Sequence, residues 1–125
     1  MNTEILRQIY EKLAKGDVKA ALADCDEKIT FQVPGRSALA GKYTKADYSA
    51  FLGRRTEMSD GTHKLEVHDI MVSDRHATVL ASDTFTRNGK PRQLRTVHVW
   101  RIEGGKLVAW YEYPRDLYQF DEAWG

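Results

Sequence analysis

The stretch Thr96-Val97-His98-Val99-Trp100-Arg101-Ile102-Glu103-Gly104-Gly105-Lys106-Leu107-Val108-Ala109-Trp110-Tyr111-Glu112 decides the fold. It reads as two strands joined at the Gly-Gly pair. A plain two-residue turn would set Trp100 opposite Ala109. A three-residue turn with a bulge at one glycine instead puts Trp100, Trp110, His98 and Glu112 on one face. The bulged register is preferred, because both tryptophans then point inward. In it Glu112 lies opposite or diagonal to His98.

Working back from this hairpin, residues 92–102 pair with residues 76–87 across Asn88-Gly89, a dipeptide suited to a two-residue β-turn. Facing residues of antiparallel strands share a side of the sheet. One side collects Val79, Ala81, Asp83 and Phe85 with Leu94, Thr96, His98 and Trp100. The other carries Thr78, Ser82 and Thr84 with Arg95, Val97, Val99 and Arg101. The first set is bulkier and more apolar, so it is assigned to the helices. Residues 63–73 form a further strand, whose alternation changes phase at His68-Asp69 and implies a bulge.

The N-terminal half is helical. Ile5, Leu6, Ile9 and Leu13 follow helical spacing over residues 3–15, with Thr3 as cap and Gly16 as stop. Asp17 caps a second helix carrying Val18, Ala21 and Leu22. Residues 28–34 alternate as a strand ending at Pro34-Gly35. A loop from Arg36 to Tyr43 leads to a third helix at about 44–58. Residues 115–124 form a polar-aromatic tail, which either closes over a pocket mouth, packs on a partner or caps the core. The order implies one α+β domain over residues 1–125, with helices on one face of a curved antiparallel sheet.

The chain has 125 residues, with 19 Lys plus Arg against 18 Asp plus Glu. Charge is balanced in each half as well as in sum. That argues against a nucleic-acid partner, which asks for a basic face, and against a polybasic membrane anchor. The single cysteine, Cys25, excludes an intrachain disulfide and a multi-cysteine zinc site. Flanking Asp24 and Asp26 disfavour its thiolate, so it reads as a packing residue. The N-terminus shows no basic region followed by an apolar run, and no stretch approaches membrane length; the expected location is cytoplasmic.

The inward side therefore holds three ionisable groups, Asp83, His98 and Glu112, among large apolar ones. Such groups are uncommon there unless paired or functional. His98 and Glu112 are within hydrogen-bonding reach in this register. Asp83 lies four residues along from the level of His98, roughly 13 Å away at strand rise. His63 and His68 have no partner that the sequence assigns. A His–carboxylate pair in an aromatic pocket suits general acid/base chemistry, lines a ligand pocket, or satisfies a polar spot in the core. The basic cluster Arg87, Lys90, Arg92 and Arg95 reads as a solvated face.

The order of elements resembles the nuclear transport factor 2-like superfamily and, within it, the SnoaL-like branch. The local phrases that carry the resemblance are Lys15-Gly16-Asp17, Val33-Pro34-Gly35 and Val97-His98-Val99-Trp100 running on to Leu107. The resemblance implies a cone-shaped curved sheet wrapped around the helices, a pocket at the open end, and often a homodimer through the convex sheet face. Ketosteroid isomerases of the superfamily place a carboxylate base where this chain has Val33, and a tyrosine where it has Ile9, with Tyr10 one residue off. SnoaL-type polyketide cyclases are the nearer match. His98 and Glu112 take the places of their His and acid, with Glu for the usual Asp.

Two functions follow. In the first, a cofactor-free and metal-free cyclase, isomerase or dehydratase acts on an apolar, polyketide-like carbonyl compound. Glu112 is the base there, with His98 and Asp83 as partners. Tyr10, Phe31, Val33, Phe85, Trp100 and Trp110 shape the substrate pocket. In the second, the same pocket binds an apolar small molecule without chemistry, or the domain serves dimerisation.

Overall fold

The computed structural model describes residues 1–125. Helices α1 (Thr3–Ala14) and α2 (Val18–Ala21) come first. Strands β1 (Thr30–Val33) and β2 (Gly41–Thr44) follow, then α3 (Tyr48–Met58). Four long strands complete the sheet: β3 (Lys64–Val72), β4 (His76–Arg87), β5 (Lys90–Glu103) and β6 (Lys106–Pro114). Helix α4 (Leu117–Trp124) closes the chain. The six strands form one sheet in the order β2-β1-β6-β5-β4-β3. All neighbours run antiparallel except β1 and β6, which are parallel. The architecture is α+β, an unclosed curved sheet with the N-terminal helices on its concave side.

The β4–β5 register is the one the Asn88-Gly89 turn dictates. Val79 faces His98 and Arg87 faces Lys90. Asn88 and Gly89 both have positive φ, as this turn type requires. The β3 bulge falls between Val67 and Asp69, at His68. In the last hairpin Trp100 faces Trp110 and His98 faces Glu112. The bulge is not at a glycine. Gly104-Gly105 makes a plain two-residue turn between Glu103 and Lys106, and the extra residue, Val108, lies inside β6. The bulge there keeps Leu107, opposite Ile102, on the same inward face as Trp100 and Trp110.

Four other expectations change. Asn2, not Thr3, caps α1: its side chain accepts a hydrogen bond from Ile5 N at 2.9 Å. The expected loop after Gly35 contains β2, an edge strand with no buried residue and hence no apolar alternation to reveal it. The tail is helix α4, with Asp116 as cap and Phe120, Ala123 and Trp124 buried. The basic cluster is not simply solvated. Arg87 donates to the carbonyls of Ala123 and Gly125, and Lys90 and Arg92 both reach Glu122, so three of its members hold α4.

Helix α4 is fastened at its middle as well. Asp121 accepts backbone hydrogen bonds from Arg36 and Ser37 at 3.0 and 3.2 Å. Gly35 makes this approach possible, since a Cβ there would collide with the Asp121 carboxylate. Trp124 then stacks on Phe85 with ring centroids 4.0 Å apart. The core lies between the helices and the concave sheet face, with Trp100, Phe31, Leu6 and Val79 enclosed.

Candidate functional site

Between α1, α3 and the concave face of β3, β5 and β6 lies a cavity of about 750 Å³. This falls within the range of small-molecule pockets. Most of its wall is apolar, from Leu13, Leu52, Leu65, Val67, Trp100 and Trp110. The polar groups that reach it are Tyr10, Tyr48, Arg55, His63 and His98, with Arg7, Glu11 and Lys64 at exposed positions.

Two polar clusters are built on this wall. The first centres on His98. Tyr10 Oη lies 2.7 Å from His98 Nδ1, and Trp100 Nε1 donates to the same hydroxyl at 3.0 Å. Burial pushes the Tyr10 hydroxyl far above its ordinary value, so it stays protonated and donates to Nδ1. That leaves the His98 proton on Nε2, facing Glu112 Oε2 at 3.6 Å. That is too long for a hydrogen bond, and a neutral imidazole makes no ion pair. Glu112 Oε2 instead accepts from Thr96 Oγ1 at 3.0 Å. The Tyr10, Trp100 and Thr96 donors are thus satisfied within the cluster, and the His98 lone pair at Nδ1 is taken by Tyr10.

The second cluster centres on His63, the residue just before β3. Its Nε2 lies 2.6 Å from Asp83 Oδ1. Both side chains are almost fully buried, at 7% and 5% exposure. Burial raises the Asp83 carboxyl. The hydrogen bond from His63 and the charge of Arg55 act against that, and the carboxyl is held below its ordinary value. An ionised Asp83 accepts, so Nε2–H of His63 donates. A neutral His63 then carries its lone pair on Nδ1, for which the protein supplies no hydrogen-bond partner. That atom is not sealed in protein: among side-chain nitrogens and oxygens, only Arg55 Nε is both fully enclosed and unpartnered.

Tyr10, His98, Trp100 and Trp110 line the cavity. Glu112 and Asp83 do not; each stands behind a histidine. Phe31, Val33 and Phe85, expected at the pocket wall, lie in the packed core instead. Phe31 stacks on Tyr48 at 4.0 Å and Phe85 on Trp124. His63 had no assigned partner, yet the structure joins it to Asp83. The Lys64–Thr84 and Leu65–Asp83 pairing sets their levels. The signal lay in that register: had β3 been paired with β4 as β5 was, His63 would have fallen near Asp83. His68 meets Ser82 Oγ at 2.8 Å on the opposite face, away from the cavity. Cys25 is buried, and desolvation pushes its thiol up to about 11, as befits a packing residue.

A model of the SnoaL-like domain matches residues 6–110. The chain belongs to the SnoaL-like family. An uncharacterised protein of Mycobacterium tuberculosis, Rv0034, is 28% identical, with 97% of this chain and 94% of that protein covered. Among solved structures, Bal32a from a soil-derived mobile gene cassette superimposes with a TM-score of 0.89 at 28% identity, covering 98% and 95% of the two chains. An NTF2-like protein from Burkholderia pseudomallei gives a TM-score of 0.81 at 23% identity, covering 99% and 98%. It shares the fold of this SnoaL-like chain.

Proposed function

We propose that this SnoaL-like chain binds a small, mostly apolar carbonyl compound and moves protons on it by general acid/base chemistry. The observation that supports this most is His63. It is oriented by a buried carboxylate at 2.6 Å and keeps one ring nitrogen without a protein partner at a cavity wall. Neutral His63 takes a proton from the carbon beside the carbonyl through Nδ1, and the C–H electron pair moves onto the carbonyl oxygen as an enolate. The resulting imidazolium is stabilised by Asp83 and returns the proton elsewhere on the substrate. This sequence suits a cyclase, isomerase or dehydratase acting on a polyketide-like molecule. His98 with Tyr10 forms the fixed far wall, and Glu112 holds His98 at 3.6 Å rather than meeting substrate.

The test is proton exchange in D₂O, read by NMR, on a panel of cyclic ketones and β-diketones such as 2-tetralone. Wild-type protein is expected to accelerate exchange, His63→Gln to lose the effect and Glu112→Gln to keep it. Loss in Glu112→Gln with retention in His63→Gln would hand the role of base to Glu112.

A second reading is binding without chemistry. It is favoured by the Trp100–Tyr10–His98 hydrogen bonds, which occupy the His98 lone pair. Ligand-dependent thermal stabilisation without any exchange would select it. For assembly, we propose a homodimer through the convex sheet face. Met71, Leu80 and Tyr113 are exposed there by 46%, 36% and 55%, and the β3–β4–β5–β6 register places them on one side. Light scattering checks it: Leu80→Glu should convert a dimer to a monomer, and a monomeric wild type refutes it. No helix is long and apolar enough to cross a membrane.

A further inference from the structure

Arg55 stands on α3 with its side chain at the cavity wall. Arginine remains charged at any working pH and carries five N–H donors. Here it has no carboxylate within ion-pair distance: none of the seven ion pairs in the molecule includes it. Its two terminal Nη groups make no hydrogen bond within the protein and, unlike the enclosed Nε, are open to the cavity side. Its Cζ lies 5.9 Å from the Phe51 ring centroid, a weak contact for a full charge. A guanidinium held at an apolar wall with its terminal donors unspent by the protein is placed to meet an acceptor in the cavity.

The other charges on the cavity wall do not answer it. Arg7 and Lys64 add positive charge, and Glu11 is exposed on α1. Asp83 is the nearest buried carboxylate in effect, since the charge of Arg55 helps to keep it ionised, but its Oδ1 is taken by His63. The same charge acts on Tyr48, whose hydroxyl burial nonetheless pushes up to about 12. The cavity thus presents an apolar body, a histidine with an open ring nitrogen and an unanswered guanidinium.

We propose that Arg55 is an anion-recognition residue, and that the ligand class is a small apolar molecule bearing one ionised oxygen group, a carboxylate or an acidic enol. This rests on the reading of the cavity as the ligand site. It adds that a neutral ketone of the same shape is the poorer ligand, because it leaves the guanidinium unanswered.

The test uses the full chain and matched pairs of probes, with dissociation constants from NMR titration. One pair is 2-naphthoate and 2-naphthamide. The other is 2-hydroxy-1,4-naphthoquinone, ionised at neutral pH, and its methyl ether. The anionic member of at least one pair should bind tenfold to a hundredfold more tightly, roughly the worth of a hydrogen-bonded charge. The pair that shows the preference identifies the oxyanion. Arg55→Gln should erase the difference by weakening only the anion. Arg55→Lys, which keeps the charge without the planar fork, should retain a smaller preference. Equal binding within both pairs, absence of binding by either anion, or a preference that survives Arg55→Gln overturns the proposal. Anion preference without proton exchange removes the catalytic reading and leaves this one standing. Exchange of neutral ketones without anion preference does the reverse.

Discussion

The two histidine clusters on the cavity wall are chemically alike and differently employed. In the first, Tyr10 occupies the His98 lone pair at Nδ1, and the Tyr10, Trp100 and Thr96 donors all have acceptors, while His98 Nε2–H stands 3.6 Å from Glu112. His63 and Asp83 form a shorter contact, 2.6 Å, but only one of the two imidazole nitrogens is used. The comparison teaches that buried polarity alone does not mark a reactive group. A saturated cluster rigidifies and specifies a core. A base needs a lone pair that the protein has left unspent, and a neighbour that fixes where it points.

The largest effect that can break this comparison is on rate. His63→Gln keeps a donor to Asp83 and should leave folding intact while lowering proton exchange by about 10²- to 10⁴-fold, the usual worth of a general base. Exchange kinetics read this directly, and a His98→Gln variant that loses more than His63→Gln would reverse the roles of the clusters.

Next comes stability. Tyr10→Phe strips the shared hydroxyl from His98 Nδ1 and Trp100 Nε1 and leaves two buried groups unpaired. A loss of about 2–6 kcal/mol in denaturant unfolding is expected, at 1–3 kcal/mol per unsatisfied group.

A smaller effect follows pH. Folding lowers the Asp83 carboxyl below its ordinary value of 3.8. Its contribution is therefore fully present above about pH 4 and is lost as pH falls through the folded value. Asp83→Asn should flatten the fall of stability below pH 4, relative to wild type, in urea melts run across that range. A wild-type slope matched by the variant would show that the contact with His63 does not outweigh desolvation.

The smallest effect is expected from Glu112→Gln. The amide oxygen still accepts from Thr96, so stability should change by less than about 1 kcal/mol and exchange by less than about threefold. A larger loss of rate sharpens the case for Glu112 as a catalytic group.

Much of the scaffold could be read from local chemistry. Asn88-Gly89 fixed the β4–β5 register, and the tryptophans fixed the face of the last hairpin. Helix α4 was hidden because its apolar positions sit among Tyr118, Gln119, Asp121 and Glu122 over only eight residues. Strand β2 was hidden because it buries nothing. In the site, Asp83, His98 and Glu112 were placed inward by period-two alternation alone. Tyr10 came from the family resemblance, not from alternation. His63 immediately precedes β3, where no alternation yet constrains it, and Arg55 sits on a helix of weak amphipathicity.

The sequence by itself determined which side chains share a face, because strand alternation and turn chemistry are short-range and nearly binary. It also determined that three ionisable groups would enter the concave side. Only the tertiary structure decided how these groups are spent. Whether a nitrogen meets a hydroxyl at 2.7 Å, a carboxylate at 2.6 Å or nothing depends on how α1, α3 and the edge of β3 pack together. Those contacts join residues 20 to 88 positions apart, and no local rule carries that information.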